Sequence, residues 1–428
     1  MHFVLTTFGS AGDVFPMIGL ALQLQQRGHT VLLATNGYFA PLAEKYGIDF
    51  EPLGTADDYL NCIQNPDLWN PRKAFQYLYR IFQPWLKQQH ELLVRQAAQK
   101  STIGIASCLC FGARMAQESH GIPVLTVHLQ PAVIWSDLAP PIFPNLFGPR
   151  WLKRMLFRIG EKLAVDRLIC PDLNAWRKEL GLPPMKHLIR WWNSPTGILC
   201  LFPDWYAAPQ EDWPQPVIQT DFPFWNDDSH RPLPNDVEHF LQAGSPPIVF
   251  TPGTANVHGR RFFAAAVEAC RQLHQRGLLL TRHPEQLPAT LPHSVQHVPY
   301  VPLDLLLKRS AAFVHHGGIG STSQGLLAGI PQLITPLAHD QFDNAARVIQ
   351  LNVGRSLAER SITGAHLTRS LWEILNASSL TAACQSVRTR LSPGQGLKQA
   401  VEAIEARLGS HQHPADCVSS RGDQSPPG

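Results

Sequence analysis

The sequence predicts an α/β protein built from two doubly wound parallel sheets. Three observations predict it. Short, wholly apolar strands alternate with helix-like stretches, a segment rich in proline and aspartate interrupts that grammar half-way, and the grammar then restarts. At 428 residues the chain is too long for one ordinary domain, and a composition 44% hydrophobic and 16% charged suits sizeable cores. The formal net charge of +3 is small for this length and argues against nucleic acid as the main partner.

The first unit opens strand, turn, helix: HFVLTTF, then GSAGDVFP, then MIGLALQLQQRG. HTVLLAT follows at once, and TIGIAS, PVLTVHL and GILCLF come later. Strands without a polar face are covered on both sides, as in parallel sheets. The stretch PVIQTDFPFWNDDSHRPLPND reads as an inter-domain connection. After it come PPIVFTPG, a helix from about Arg260 to Arg276, GLLLT, VQHVP, AAFVHH and PQLITPL. The expected division is therefore 1–215, a connection over 216–245, a second domain over 246–408, and a tail over 409–428. That tail lacks apolar periodicity and is expected to be disordered.

Eight scattered cysteines show no zinc-like CxxC spacing and fit reduced thiols. The opening MHFVLTTFGSAGD has no basic region followed by an apolar run, and no stretch reaches the ~20 apolar residues of a spanning helix. A cytoplasmic location is expected.

Two glycine turns carry the chemistry. In AAFVHHGGIGSTSQGLLAGIP, a strand ends in a turn at Gly317, Gly318 and Gly320, and a helix starts near Ile319 or Ser321. Free N–H groups at such a start point at an anion, and Ser321, Thr322 and His316 add donors. A tight turn without a ligand is the competing reading. Pro252-Gly253-Thr254 closes the first strand of the same domain at the carboxyl edge, where ligands of open sheets bind. PLAHDQFDN supplies Asp340, Gln341, Asp343 and Asn344, either as partners for sugar hydroxyls or as a helix cap. The first turn, FGSAGDVFP, lacks the G-x-G-x-x-G spacing, and the second strand ends in Ala34-Thr35-Asn36 without an acidic residue. Both departures argue against a dinucleotide cofactor. What that turn does hold is Asp13, either a cleft-facing carboxylate or an ordinary helix cap.

With these residues in view the chain resembles the GT-B glycosyltransferases, the nucleotide-sugar-dependent family that includes antibiotic, sterol and plant natural-product enzymes. GSAGDVFP, YVPLDLLL, VHHGGIGS and HDQFDN carry the resemblance, in one order over nearly the whole chain. NPDLWNP, CLFPDWYAAPQEDWPQP and AHDQFDNA make it similar, within that family, to the rhamnosyltransferases of rhamnolipid synthesis. The resemblance implies two Rossmann-like domains facing across a cleft. It also implies direct, inverting displacement without a required metal, with the sugar donor in the C-terminal domain and the acceptor in the N-terminal one. The nucleotide-sugar is a co-substrate, so no cofactor is implied.

Asp13 then matches the catalytic base. His316 meets the diphosphate, lined by Gly318, Gly320 and Ser321, with Gly253 and Thr254 on the other side. Tyr300 matches the aromatic that stacks on the nucleotide's base, and Val301 a backbone contact beside it. Asp340 and Gln341 match the pair that grips the sugar. Gln324 stands where relatives that use uridine nucleotides often carry glutamate, which leaves UDP and dTDP both open. His315 is the alternative imidazole for the phosphate. No D-x-D metal signature is present. An acceptor hydroxyl must lose a proton as it attacks, and the leaving nucleotide gains charge, so a base and a set of donors are what this reaction needs.

Ten of eleven tryptophans lie at or before Trp225, the side expected to take the acceptor. NPDLWNPRKAFQYLYRIFQPWL and LQPAVIWSDLAPPIFP could wall a cleft for a hydroxy fatty acid, sterol or polyketide. In RWLKRMLFRIGEKLAVDRL an apolar stripe of Trp151, Leu152, Met155, Leu156, Ile159 and Leu163 is flanked by basic residues, with Arg150, Lys153, Arg154, Arg158 and Lys162 largely off it. Residues 150–168 read first as a domain helix with a solvated face, and second as a peripheral membrane contact. Other functions compatible with the same motifs are a nucleotide-sugar epimerase and a nucleotide-sugar-binding partner without turnover. A dinucleotide oxidoreductase fits least.

Overall fold

The computed structural model describes residues 1–142, 149–228 and 231–409. The N-terminal sheet has seven strands: β1 (His2–Thr6), β2 (Thr30–Thr35), β3 (Asp49–Pro52), β4 (Thr102–Ser107), β5 (Val124–His128), β6 (Ile198–Cys200) and β7 (Val217–Gln219). They lie in the order β3-β2-β1-β4-β5-β6-β7. The second sheet has β8 (Ile248–Thr251), β9 (Gly277–Leu280), β10 (Val295–Val298), β11 (Ala312–His315), β12 (Gln332–Ile334) and β13 (Gly354–Ser356), in the order β10-β9-β8-β11-β12-β13. Every recorded strand pair is parallel. The two doubly wound α/β domains expected from the sequence are present.

The pleat explains why the strands read as continuous apolar runs. Phe3 and Leu5 face the helix Ala11–Gln26, packing with Met17, Ile18 and Leu33. Val4, between them, points to the other face and packs with Leu32, Leu86 and Leu93. The register sets Phe3 beside both Val31 and Ile103. In the second sheet Phe250 and Val314 enter one core, Val249 and Phe313 the opposite one. With water excluded from both faces, each buried Val, Leu, Ile or Phe contributes roughly 1.5–3 kcal/mol.

Strand order reverses direction at β1/β4 in one sheet and at β8/β11 in the other. Crevices at the carboxyl ends of such strands are where open α/β sheets bind ligands. The turn containing Asp13 follows β1, Gly253 and Thr254 follow β8, and the His316–Gly320 turn follows β11. Sequence and topology thus bring all three turns to switch points.

The domain boundaries differ from the expected ones in two places. Part of the segment expected to connect the domains, Val217–Gln219, forms β7 and completes the first sheet. The last helix, Gln395–Gly409, packs on the N-terminal domain, burying Leu397, Val401 and Ile404 among Met17, Ile18 and Leu24. Arg27 and His29 reach Glu405 at 2.6–2.9 Å. A last helix that returns to the first domain needs a second crossing, which sequence order alone does not reveal. The strands not singled out from the sequence, β3, β7 and β13, are short edge strands with half-exposed residues. The expected disordered tail, apart from Gly409 at the helix end, lies outside the described residues.

All seven described cysteines are free thiols. Among the described residues no helix is long and apolar enough to cross a membrane.

Candidate active site

A single cavity of about 890 Å³ runs between the two sheets' carboxyl edges. Asp13, Gly253, Thr254, Tyr300, Val301, His316, Gly318, Gly320, Ser321, Gln324, Asp340 and Gln341 all line it. His315 does not.

Asp13 is not the helix N-cap. Ser10 takes that place, and Asp13 is the third residue of the helix in a capping box, where the Ser10 N–H donates to its Oδ2 at 2.9 Å. Gly9, at φ +137°, lets the chain pass against this carboxylate, and a Cβ there would collide with it. The cap role and the cleft role are therefore combined. Oδ2 is committed to the backbone, while Oδ1 has no hydrogen-bond partner among the described residues. Burial pushes the Asp13 carboxyl up to about 6.

On the opposite wall the tandem histidines divide. His315 is the last residue of β11 and fully buried; its Nε2 meets Gln332 Oε1 at 2.9 Å and its Nδ1 accepts from the Gly317 N–H at 3.1 Å. His316, one residue on, faces the cavity, and its Nδ1 is buried without a partner among the described residues. Burial holds both imidazoles neutral, His315 at about 3 and His316 at about 4. The His316 ring lies in a space that only glycine leaves open. A Cβ on Gly253 (φ +97°) would stand 2.7 Å from it, and one on Gly318 2.6 Å.

The helix Ile319–Ala328 begins at Gly318, which has no side chain to cap it, and its first residues Ile319, Gly320 and Ser321 line the cavity. Asp340 Oδ2 accepts from the Ile319 N–H at 3.2 Å and from Asn344 Nδ2 at 2.6 Å. Burial first, and the nearby Asp13 charge second, raise the Asp340 carboxyl to about 7. Gln341 Oε1 accepts from the Leu337 and Ala338 N–H groups at 2.7 and 3.1 Å, so its oxygen is spent on the loop. Asp343 is structural: it pairs with Arg347 at 2.7 Å and accepts from the Ile142 N–H. Asn344 organises the turn, donating to Gly317 O at 2.9 Å while accepting from the Tyr206 hydroxyl at 2.8 Å. Gln324 Oε1 is buried without a partner among the described residues.

Several lining residues escaped the sequence analysis. Arg282 lies 5.0 Å over the Tyr300 ring, covering one of its faces. Its signal was available, since it follows β9 at the carboxyl edge. The acceptor-side wall is apolar, built by Phe75, Leu78, Phe82, Trp85, Val133 and Trp135 from the two segments expected to form it. It is punctuated by buried polar atoms without partners among the described residues: the Nε1 atoms of Trp69, Trp135 and Trp192, His128 Nδ1 and Glu161 Oε1. Leaving such atoms unpaired costs roughly 1–3 kcal/mol each, which a hydroxylated ligand can recover. Burial, with Asp166 beside it, raises the Glu161 carboxyl to about 6.

Among the described residues one trio of metal-ligating type converges, Glu161, Asp166 and His187, with ligand atoms within 4.8 Å of one another. Asp166 already accepts from the Leu188 N–H at 3.0 Å and meets His187 at 3.2 Å. The trio is remote in sequence from both glycine turns.

With the geometry established, comparison with known proteins is informative. The N-terminal domain of glycosyltransferase family 28 matches residues 3–134. The C-terminal domain of the erythromycin biosynthesis protein CIII-like family matches residues 278–394. O-mycaminosyltylonolide 6-deoxyallosyltransferase of Streptomyces fradiae is 27% identical over 424 residues, 95% of this chain and 97% of that protein. Sterol 3-beta-glucosyltransferase of Neosartorya fischeri is 26% identical over 94% of this chain, which spans 29% of that longer protein. The crystal structure of the glycotransferase of kitacinnamycin superposes with a TM-score of 0.72 at 21% identity, covering 95% of this chain and 99% of that one. The fold is GT-B.

Proposed function

We propose that this chain, whose residues 3–134 match the family 28 N-terminal domain and 278–394 the CIII-like C-terminal domain, is a GT-B glycosyltransferase that carries out an inverting transfer without a required metal. The donor is a UDP- or dTDP-activated hexose or deoxyhexose. The acceptor is a hydroxyl on an apolar molecule, of the hydroxy fatty acid, sterol or polyketide kind; rhamnosyl transfer to a hydroxy fatty acid is the finer form of this reading.

The observation that carries it is the shared cavity. One wall offers the free Oδ1 of Asp13, and the other offers the His316–Ser321 turn. The acceptor hydroxyl gives its proton to Asp13 Oδ1 as its oxygen attacks the anomeric carbon. The bond from that carbon to the diphosphate breaks, and its electron pair leaves on the phosphate oxygen. Neutral His316 and the helix start at Gly320 and Ser321 meet the growing charge. Asp340 and Gln341 hold the sugar between the walls, and Tyr300 takes the base on the ring face away from Arg282. On the acceptor side, the unpartnered indole N–H groups, His128 and Glu161 orient a molecule with polar groups on an apolar body.

Thermal unfolding in the presence of UDP, dTDP and NADH tests the donor site. A ligand at 100 times its dissociation constant adds about 2.7 kcal/mol. Stabilisation by UDP or dTDP but not by NADH is expected and identifies the donor for a transfer assay, run with and without EDTA. Stabilisation by NADH alone, or by none, overturns the donor assignment; loss of transfer in EDTA overturns the metal-independent step.

A further inference from the structure

The sequence favoured a solvated face for the helix over 150–168, yet the apolar stripe itself is exposed. Trp151, Met155, Ile159 and Leu163 follow one another four residues apart and are 66%, 45%, 46% and 54% exposed. Residues at that spacing form one row on a helix surface. Leu138 and Ile142 are exposed as well, and most of the large hydrophobic residues exposed among the described residues lie between 138 and 168. The adjacent row, Leu156, Gly160, Ala164 and Leu168, lines the cavity. Apolar surface is thus continuous from the outside of this helix into the acceptor-side wall. A contiguous patch of this kind marks an interaction site.

The charges around it select the partner. Lys153, Arg154, Arg158, Lys162 and Arg167 share the segment with two acids, Glu161 and Asp166, and both acids are buried. Asp137 pairs with Arg154 and Arg158 and leaves the excess positive. A second copy docked face to face would set these cations against each other. An anionic bilayer accepts both the apolar row and its basic border.

We propose that the outer face of this helix docks on an anionic lipid bilayer, and that the acceptor passes from the bilayer along the Leu156–Leu168 row into the cavity. The docking stands on the patch alone, while the entry route rests on the apolar-acceptor reading above.

The test is flotation of the full chain with vesicles of phosphatidylcholine alone and of phosphatidylcholine with phosphatidylglycerol. The wild-type chain should float with the mixed vesicles, and added salt should weaken binding by screening. Met155→Ser/Ile159→Ser/Leu163→Ser should lower partitioning about tenfold or more with unchanged thermal unfolding. Lys153→Glu/Lys162→Glu, which keeps the apolar row, should remove the preference for anionic vesicles. Absence of wild-type flotation overturns the docking, as does equal flotation of the serine variant. Light scattering that shows a dimer abolished by the serine changes, without vesicle binding, assigns the face to a second copy instead. Docking without faster transfer to a bilayer-embedded hydroxy lipid, relative to the same lipid in detergent, overturns the entry route only.

Discussion

The two domains share a strand order around their switch points, yet the turns they place there do opposite things. After β1 the chain turns through Gly9 to set a carboxylate on the cavity; after β11 it turns through Gly317 and Gly318 to set a helix start and a neutral imidazole. In the proposed reaction one is a proton acceptor and the other an anion receptor. In each case glycine is used for closeness: Gly9 to Asp13, Gly253 and Gly318 to His316. The fold supplies two equivalent positions, and one side chain at each decides what that position can do.

The strongest way to break this contrast is Asp13→Asn. It keeps an acceptor for the Ser10 N–H but removes the base, so turnover should fall about 10²–10⁴-fold while stabilisation by the nucleotide persists. Loss of both together would make Asp13 a donor-side residue. In the wild type, kcat/KM should rise about tenfold per pH unit below about 6 and level off above, because Asp13 must be ionised. A flat profile across that range removes the assignment.

His316→Ala should lower turnover about 10²–10³-fold, the scale for losing one donor to a developing charge. His315→Ala sharpens the comparison within one dipeptide. It breaks the buried bonds to Gln332 and the Gly317 N–H and should cost roughly 1–3 kcal/mol of stability in urea unfolding. If the variants exchange these outcomes, the division between the two imidazoles is wrong.

Tyr206→Phe probes the support of the turn. Removing its bond to Asn344 should cost about 1 kcal/mol and weaken the donor more than it slows the chemistry. A further effect is one of linkage. Asp13 and Asp340 titrate higher in the folded chain than their ordinary 3.8, so the folded state binds the extra protons. Their favourable contribution is full below about 4 and is lost as pH rises through about 6 and 7. Asp13→Asn should therefore raise the unfolding temperature by a few degrees at pH 8 and leave it unchanged near pH 3.5. A gain equal at both pH values would show that burial of this carboxyl is not its cause.

Much of the site was legible because its geometry is local. A strand, a glycine turn and a helix start are consecutive in sequence, so Asp13, Gly253, His316 and Ser321 could be placed at strand ends before any coordinates. The apolar runs fixed the buried parallel strands for the same reason: the period of the pleat and its double-sided burial are written into each segment. What tertiary structure alone decided depends on residues far apart in the chain. Which histidine faces the cavity follows from the side of β11 on which Gln332 lies. Arg282 meets Tyr300 across two strands' carboxyl ends, and Asn344 is held by Tyr206 from the other domain. The last helix returns to the first because Leu397, Val401 and Ile404 find their burial there. The helix over 150–168 has the same amphipathic sequence whether its apolar row is covered or bare. Only the packing around it leaves Trp151, Met155, Ile159 and Leu163 in water.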